Sequence, residues 1–198
     1  ERMMRRTEPV IPMETRWSVP ALLAFEACFL PWMRRRLGGV HIAGLPASLP
    51  PDRPVILAAN HVSWWDGFLL REVHRAAGTA APLFTLMRDD ELRRVSFLRW
   101  LGVVGLEPQS PGSVLHALHF LRAMRHRYPA CWLSMFPQGR IWPSWRRPLG
   151  LQPGLVAFAR VLAPAVVLPV GIHLEPLTRT GPAAFLSVGR PIFVDEGE

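Results

Sequence analysis

The sequence contains no lysine: all 23 basic residues are arginine, set against 15 carboxylates for a formal charge of +8. An Arg-, Pro- and Ala-rich chain is what GC-rich coding produces, so the absence of lysine carries little chemistry by itself. The net positive charge on an oily chain does, because it suits anionic or phosphate-bearing partners. Nucleic acid is one such partner, but no RNP strand or zinc finger is present to recognise it. Cysteine is scarce. Cys28 and Cys131 each lie in apolar surroundings, far apart in sequence, and are expected to be small buried hydrophobes. With no disulfide framework, a cytosol-facing protein is the default. Long apolar runs are missing as well. The stretch from Trp17 to Met33 is short for a membrane span and is interrupted by Glu26 and Pro31. There is no internal repeat and no low-complexity linker. At 198 residues, 49% of them apolar, the chain reads as one domain able to bury a real core. It begins at Glu1, which leaves room for a trimmed start or a missing leader.

One stretch organises the rest. The apolar run Val55-Ile56-Leu57-Ala58-Ala59 reads as a buried strand and leads into Asn60-His61-Val62-Ser63-Trp64-Trp65-Asp66, with a helical pattern starting near Trp64. A histidine thus leaves a strand, and a carboxylate stands in the first turn of the next helix. In open α/β sheets ligands bind at that edge, beyond the carboxyl ends of the strands. On one continuous helix the five-residue spacing would turn His61 and Asp66 to different faces. Ser63 to Asp66 instead fits a capping box with Ser63 as N-cap, which leaves His61 in irregular backbone, free to fold back on Asp66. A carboxylate on one ring nitrogen fixes the tautomer and leaves the other nitrogen to accept a proton. Taken alone, the pair is also what a helix cap beside a loop histidine looks like.

Strand and helix patterns alternate along the remainder. Strands are predicted over 40–43, 83–87, 102–108, 130–135, 166–171, 185–189 and 191–194. Helices are predicted from Trp64 to about Ala77, stopping at Gly78, and over 95–101, 111–128 and 152–162. A basic lead-in over 1–16, with Arg2, Arg5 and Arg6, precedes the 17–33 segment. Arg34-Arg35-Arg36 follow that segment at once. It fits an interfacial helix with Trp17 and Trp32 near headgroups, or an ordinary docked helix. His116, His119 and His126 share one helix with Arg122, Arg125 and Arg127. Without a Glu-containing zincin pattern they read as a solvated basic face, and no metal is expected. Phe136-Pro137-Gln138-Gly139-Arg140 leaves the 130–135 strand at the same edge as His61, provided the two strands are parallel. Gly139 permits close backbone approach to a ligand, and Arg140 can pair bidentately with an anion.

Asn60-His61 followed by Asp66 resembles the first motif of the glycerolipid (PlsC-type lysophospholipid) acyltransferase family. Phe136–Arg140 is a near match to that family's Phe-Pro-Glu-Gly-Thr-Arg, in the same order and at a similar separation. The resemblance runs from about Gly44 to Val194. It implies an α/β acyltransferase domain over 39–198, with a mixed central β-sheet flanked by helices. Residues 1–38 would be the basic lead-in and a membrane-associating helix. It further implies acyl transfer from an acyl thioester, acyl-CoA or acyl carrier protein, to a hydroxyl of a lipid acceptor. The setting would be peripheral or monotopic, on the cytoplasmic face of a membrane, with no cofactor, no metal and no nucleic acid. His61 would be the general base and Asp66 its orienting carboxylate. Asn60, Arg88, Phe136, Pro137, Gln138, Gly139 and Arg140 would bind substrate, with oxyanion donors from backbone around Gly139. Arg88 has the alternative of a solvated charge. The tryptophan- and arginine-rich stretch from Ile141 to Pro148 would be a lip at the lipid interface, a cover on an acyl tunnel, or a packed loop.

The sequence departs from the family pattern at several points. Pro108 stands where the second motif should end in a phosphate-gripping arginine. Gln138 replaces the glutamate, Gln152-Pro153-Gly154 lacks the usual lysine, and Arg140 comes one residue before the motif's arginine. Two altered phosphate-gripping features turn the expectation towards a non-phosphate acceptor, such as a glycolipid or glycosylated terpenoid hydroxyl. A lysophosphatidate acceptor, held by Arg88, Arg140, Arg146 or Arg147, is the alternative. A non-catalytic membrane- or acyl-binding relative is the reading of another class.

Overall fold

The computed structural model describes residues 14–197; most of the expected basic lead-in lies outside them. Helix α1 (Val19–Arg36) is followed by strands β1 (Gly39–Ala43) and β2 (Val55–Ala59) and helix α2 (Asp66–Ala76). Next come β3 (Leu83–Arg88), α3 (Asp89–Arg94), a 3-10 turn (Ser96–Trp100), β4 (Val103–Leu106), α4 (Pro111–Arg127) and β5 (Trp132–Met135). Helix α5 (Gly154–Leu162) precedes β6 (Ala165–Glu175), β7 (Ala183–Val188) and β8 (Ile192–Val194). The strands among the described residues form one mixed sheet in the order β1-β7-β6-β2-β5-β3-β4, with β8 paired to β6. Only the β6–β7 and β6–β8 pairings are antiparallel. The mixed α/β architecture is the one the sequence implies.

β2 lies in the middle, parallel to β5 on one side and to β6 on the other. A strand flanked on both edges and covered on both faces must be apolar throughout, which is why Val55 to Ala59 shows no polar alternation. Its odd positions, Val55, Leu57 and Ala59, face a core shared with Leu30 and Met33 of α1 and Leu69, Leu70 and Val73 of α2. Its even position Ile56 faces the opposite core, with Ala117 and Leu121 of α4 and Phe158 and Leu162 of α5. Truncating the fully buried Leu57 to alanine would cost about 2–5 kcal/mol.

α1 is docked. Ser18 caps it, accepting the Ala21 N–H, and Arg34, Arg35 and Arg36 occupy its last turn, where cations complement the helix dipole. Glu26 pairs with Arg71 and Arg75 of α2. Its outward side still exposes Val19, Leu23 and Trp32. Among the described residues no helix is long and apolar enough to cross a membrane.

Three local expectations are corrected. Trp17 does not stand at a headgroup position: its backbone bridges to Leu101 and its ring packs against Phe84 at 5.8 Å. Cys28 is exposed on α1, because its apolar sequence neighbours occupy other faces of the helix, whereas Cys131 is buried as expected. The expected helix over 95–101 is only a 3-10 turn, Ser96–Trp100, and an unexpected helix, α3, precedes it, its first turn carrying the acidic residues Asp89, Asp90 and Glu91. His116, His119 and His126 are exposed along α4. The described residues contain no group of three His, Cys, Asp or Glu placed to hold a metal ion.

Candidate active site

The parallel register pairs Ala58 of β2 with Met135 of β5, so the segments leaving both strands emerge side by side at one sheet edge. From β2 comes Asn60-His61-Val62. From β5 comes a tight turn in which Gly139 N–H donates to Phe136 O at 2.9 Å. Proline at the second position suits that turn, and Gly139 takes φ 68°, a left-handed value that residues with a Cβ seldom adopt.

His61 is held on every side. Its Nδ1 lies 2.8 Å from Asp66 Oδ2. That same oxygen accepts the Val62 N–H at 2.6 Å and the Ser63 N–H at 2.9 Å. The other oxygen, Oδ1, accepts the Ser63 hydroxyl. An oxygen already taking two backbone N–H groups is an acceptor, so the proton of this contact sits on Nδ1 and the Nε2 lone pair is left open. Asp66 itself is fully buried. The imidazole stacks on Phe136, with centroids 4.2 Å apart and planes at 17°. The His61 backbone is fixed too: its N–H donates to Gln138 Oε1 at 2.7 Å, and its carbonyl accepts the Trp142 N–H at 2.8 Å.

Only half of the expected capping box is present. Asp66 reaches back to the Ser63 N–H, but the helix proper begins at Asp66, with Trp65 at the cap position in helical conformation and no side-chain cap. Ser63 Oγ takes the Trp65 N–H instead, at 3.2 Å. Asp66 is thereby free to serve four donors that all precede the helix.

His61 opens onto a cleft of about 480 Å³ whose walls are mostly apolar. Leu22 and Phe25 of α1, Phe68 of α2, Leu83 and Leu86 of β3 and Leu98 of the 3-10 turn are among its lining. It extends along β3 from Arg88 back to Leu83, about 16 Å at the usual strand rise.

Of the residues expected to touch substrate, Arg88, Phe136, Gly139 and Arg140 line this cleft together with His61. Asn60 does not: its side chain is spent on both the N–H and the carbonyl of Ile172, tying the turn to β6. Gln138 is buried, and its second amide end donates to Leu149 O at 2.8 Å. Pro137 shapes the turn, and its carbonyl accepts the Gln152 N–H. Arg88 forms a two-point contact with Asp90, which raises its affinity for a proton above the ordinary arginine range. Pro108 lines the same wall. There the neighbours of Arg88 are acidic: Asp90, Glu91 and Glu107. Arg140, which lines the cleft, and Arg146, on the loop that follows, have no acidic partner among the described residues; their guanidinium carbons lie 3.9 Å and 3.4 Å from the Trp142 ring centroid. The Gly139 N–H is committed to its turn, whereas the N–H groups of Arg140 and Ile141 have no protein acceptor among the described residues. Sequence reasoning missed Trp64, Gly67, Phe68 and Arg71 as cleft residues. Helical spacing places Gly67, Phe68 and Arg71 on one stripe of α2, with Trp64 in the turn just before it, and that spacing is written in the chain itself.

The family model described as Acyltransferase matches residues 44–173. Among solved structures, the crystal structure of the 1-acyl-sn-glycerophosphate (LPA) acyltransferase, PlsC, from Thermotoga maritima is similar in fold, with 23% sequence identity and a TM-score of 0.50 over 78% of this chain. The match covers 61% of the length of that protein. No curated protein matches the sequence. The family match spans well over half of the residues and contains both the His61–Asp66 and Phe136–Arg140 segments, so the chain belongs to the acyltransferase family.

Proposed function

We propose that this acyltransferase moves a fatty acyl group from an acyl thioester, acyl-CoA or acyl carrier protein, to a hydroxyl of a lipid acceptor. The observation that carries this reading is a buried Asp66 bonded to His61 at the mouth of a long apolar cleft. His61 Nε2 takes the acceptor's proton as its oxygen attacks the thioester carbonyl. Asp66 holds the ring in that tautomer and stabilises the imidazolium that forms. The tetrahedral oxyanion is met by the free N–H groups of Arg140 and Ile141 rather than by Gly139. Collapse breaks the carbon–sulfur bond, and the departing thiolate regains a proton from the imidazolium. The thioester is already activated, so the enzyme needs no covalent intermediate, and no cofactor enters. The acyl chain lies in the apolar cleft.

The acceptor on this reading is a lipid hydroxyl without a phosphate. Among the described residues the wall at Pro108 offers no free cation, since Arg88 is engaged by Asp90 and lies near Glu91 and Glu107. A lysophosphatidate acceptor is the second reading, favoured by Arg140, which lines the cleft and has no acidic partner among the described residues. The protein works at a membrane surface on the cytoplasmic side, with the outward face of α1 and Arg35 and Arg36 against the headgroups, Arg34 being held by Glu72.

Thiol release from long-chain acyl-CoA and from acyl carrier protein tests this across neutral glycolipids, glycerol phosphate and lysophosphatidate, with His61→Ala alongside. Release that depends on His61 and on a neutral acceptor is the expected result. Release only with phosphorylated acceptors supports the second reading. Release unchanged in His61→Ala would overturn the mechanism, and no release from either donor would favour a non-catalytic lipid binder.

A further inference from the structure

The loop between β5 and α5 presents apolar side chains to solvent although it is tightly held. Trp142 N–H is bound to the His61 carbonyl, Gln138 holds the Leu149 carbonyl, and Gln152 N–H is bound to the Pro137 carbonyl. Arg146 N–H closes a turn on the Pro143 carbonyl. From this pinned loop Trp145 projects at 80% exposure, with Ile141 at 51% and Leu151 at 57%. A large apolar side chain left in water by a rigid loop costs hydration free energy that a partner would recover. The same loop carries Arg140, Arg146 and Arg147, none of them paired with an acid among the described residues. Two of these cations are pre-positioned. Both Arg140 and Arg146 lie close to one Trp142 ring centroid, which two guanidinium groups can do only from opposite faces.

We propose that this loop is a membrane-docking lip for a bilayer rich in anionic lipid. Trp145, Ile141 and Leu151 enter the headgroup region, and the arginines rest on lipid phosphates. Tryptophan with arginine is the pairing that headgroup depth favours, apolar body inward and cation on phosphate. A soluble phosphate compound would use the arginines but leave Trp145 and Leu151 in water. The location completes the case. Arg140 and Ile141 line the same cleft as Leu22 and Phe25 of α1, so the loop and α1 border one opening from two sides. Docked at both borders, the protein faces its cleft into the lipid. The inference builds on reading the cleft as a lipid-substrate site, but its test requires no turnover.

Flotation of the full chain with phosphatidylcholine vesicles, with and without phosphatidylglycerol, is the test. Trp145→Ser should lower partition onto both kinds of vesicle. Arg146→Ser with Arg147→Ser should lower partition onto the anionic vesicles alone, on the order of fivefold per arginine. Quenching of tryptophan fluorescence by bilayer-embedded brominated lipid provides a second measurement, in which Trp145→Phe, keeping an aromatic anchor, should lose a quenched component while still floating. The proposal is overturned if wild type does not float, or if Trp145→Ser and the double arginine variant float as wild type does. It is equally overturned if the arginine variant floats normally but binds soluble acyl-CoA with a raised Kd, which would make the arginines a site for that compound's phosphates.

Discussion

Gln138 and His61 are joined by a 2.7 Å hydrogen bond from the His61 backbone N–H to the Gln138 side-chain oxygen, while the Gln138 amide nitrogen donates to the Leu149 carbonyl at 2.8 Å. Both ends of the amide are therefore used, one as acceptor and one as donor. The family's glutamate, when ionised, could keep the first bond but would set an oxygen against the Leu149 carbonyl. The glutamine is what a neighbouring carbonyl demands, and it says nothing about the acceptor's charge.

A pH-dependent prediction follows for Gln138→Glu. A protonated glutamic acid can donate to Leu149 O; an ionised one cannot. Turnover of this variant should match wild type most nearly at acidic pH and fall by roughly tenfold as the new carboxyl ionises, the cost of a buried bond left unmade. KM for the acceptor should not move. A raised KM at unchanged kcat, flat with pH, would place Gln138 on the substrate instead.

The dyad gives the largest expected losses. On the proposed mechanism His61→Ala removes the base and should lower kcat by about 10²–10⁴-fold with the fold retained, since the ring's contacts are local. Asp66→Asn should cost a similar factor and also lower the melting temperature. With its oxygen at the Oδ2 position the amide still accepts the Val62 and Ser63 N–H groups, but its NH₂ then faces the Ser63 hydroxyl that Oδ1 now accepts, and the carboxylate charge is lost. Paired activity and thermal-melt measurements separate the two variants. An Asp66→Asn protein as active as wild type would remove the role given to the Asp66 charge in stabilising the imidazolium.

What the sequence made legible was local. His61 and Asp66 lie five residues apart, and turn and cap chemistry alone bring them together. The buried run of β2 declared itself through its lack of alternation. The partnership of Gln138 with His61 spans 77 residues and depends on β5 lying next to β2, a strand order that no local pattern encodes. The exposure of Cys28 was hidden for a related reason: which helix face is outward depends on what α1 docks against.

The two cysteines should react differently. Burial pushes the Cys131 thiol up to about 11, with little thiolate at neutral pH, while Cys28 lies open on α1. Titration of the native protein with an aromatic disulfide reagent should consume one thiol quickly, and the second only after denaturant is added. Two fast thiols would contradict the burial of Cys131.

His74 makes stability depend on pH. Burial first, then the nearby Arg71 charge, lowers it from 6.5 to about 4. Its Nε2 lies 2.9 Å from the Ala81 carbonyl, and Nδ1 is buried with no hydrogen-bond partner among the described residues. The unfolded chain takes up this proton near pH 6.5 while the folded protein resists until about pH 4. The contribution is complete above 6.5 and is lost as pH falls through that window, by up to about 3 kcal/mol. Denaturant titrations of wild type and His74→Gln at intervals across the window should show a steeper decline in wild type. Parallel declines would assign the acid sensitivity to other groups.

Gly67 separates the cleft's function from its architecture. It lies one residue into α2, lines the cleft, and a Cβ built there meets nothing within 4 Å. Gly67→Leu therefore adds side chain only to the cleft. In a helix the replacement also raises propensity, by up to ~1 kcal/mol, so stability should hold or rise. If the acyl chain occupies this cleft, turnover with long-chain donors should fall at least tenfold while short-chain donors are spared, shifting the preferred chain length downward. Both outcomes come from one protein: a thermal melt reports the helix, and a donor chain-length series reports the cleft. A variant that melts as predicted yet keeps the wild-type chain-length profile would move the acyl chain out of this cleft and leave His61 facing a different substrate arm.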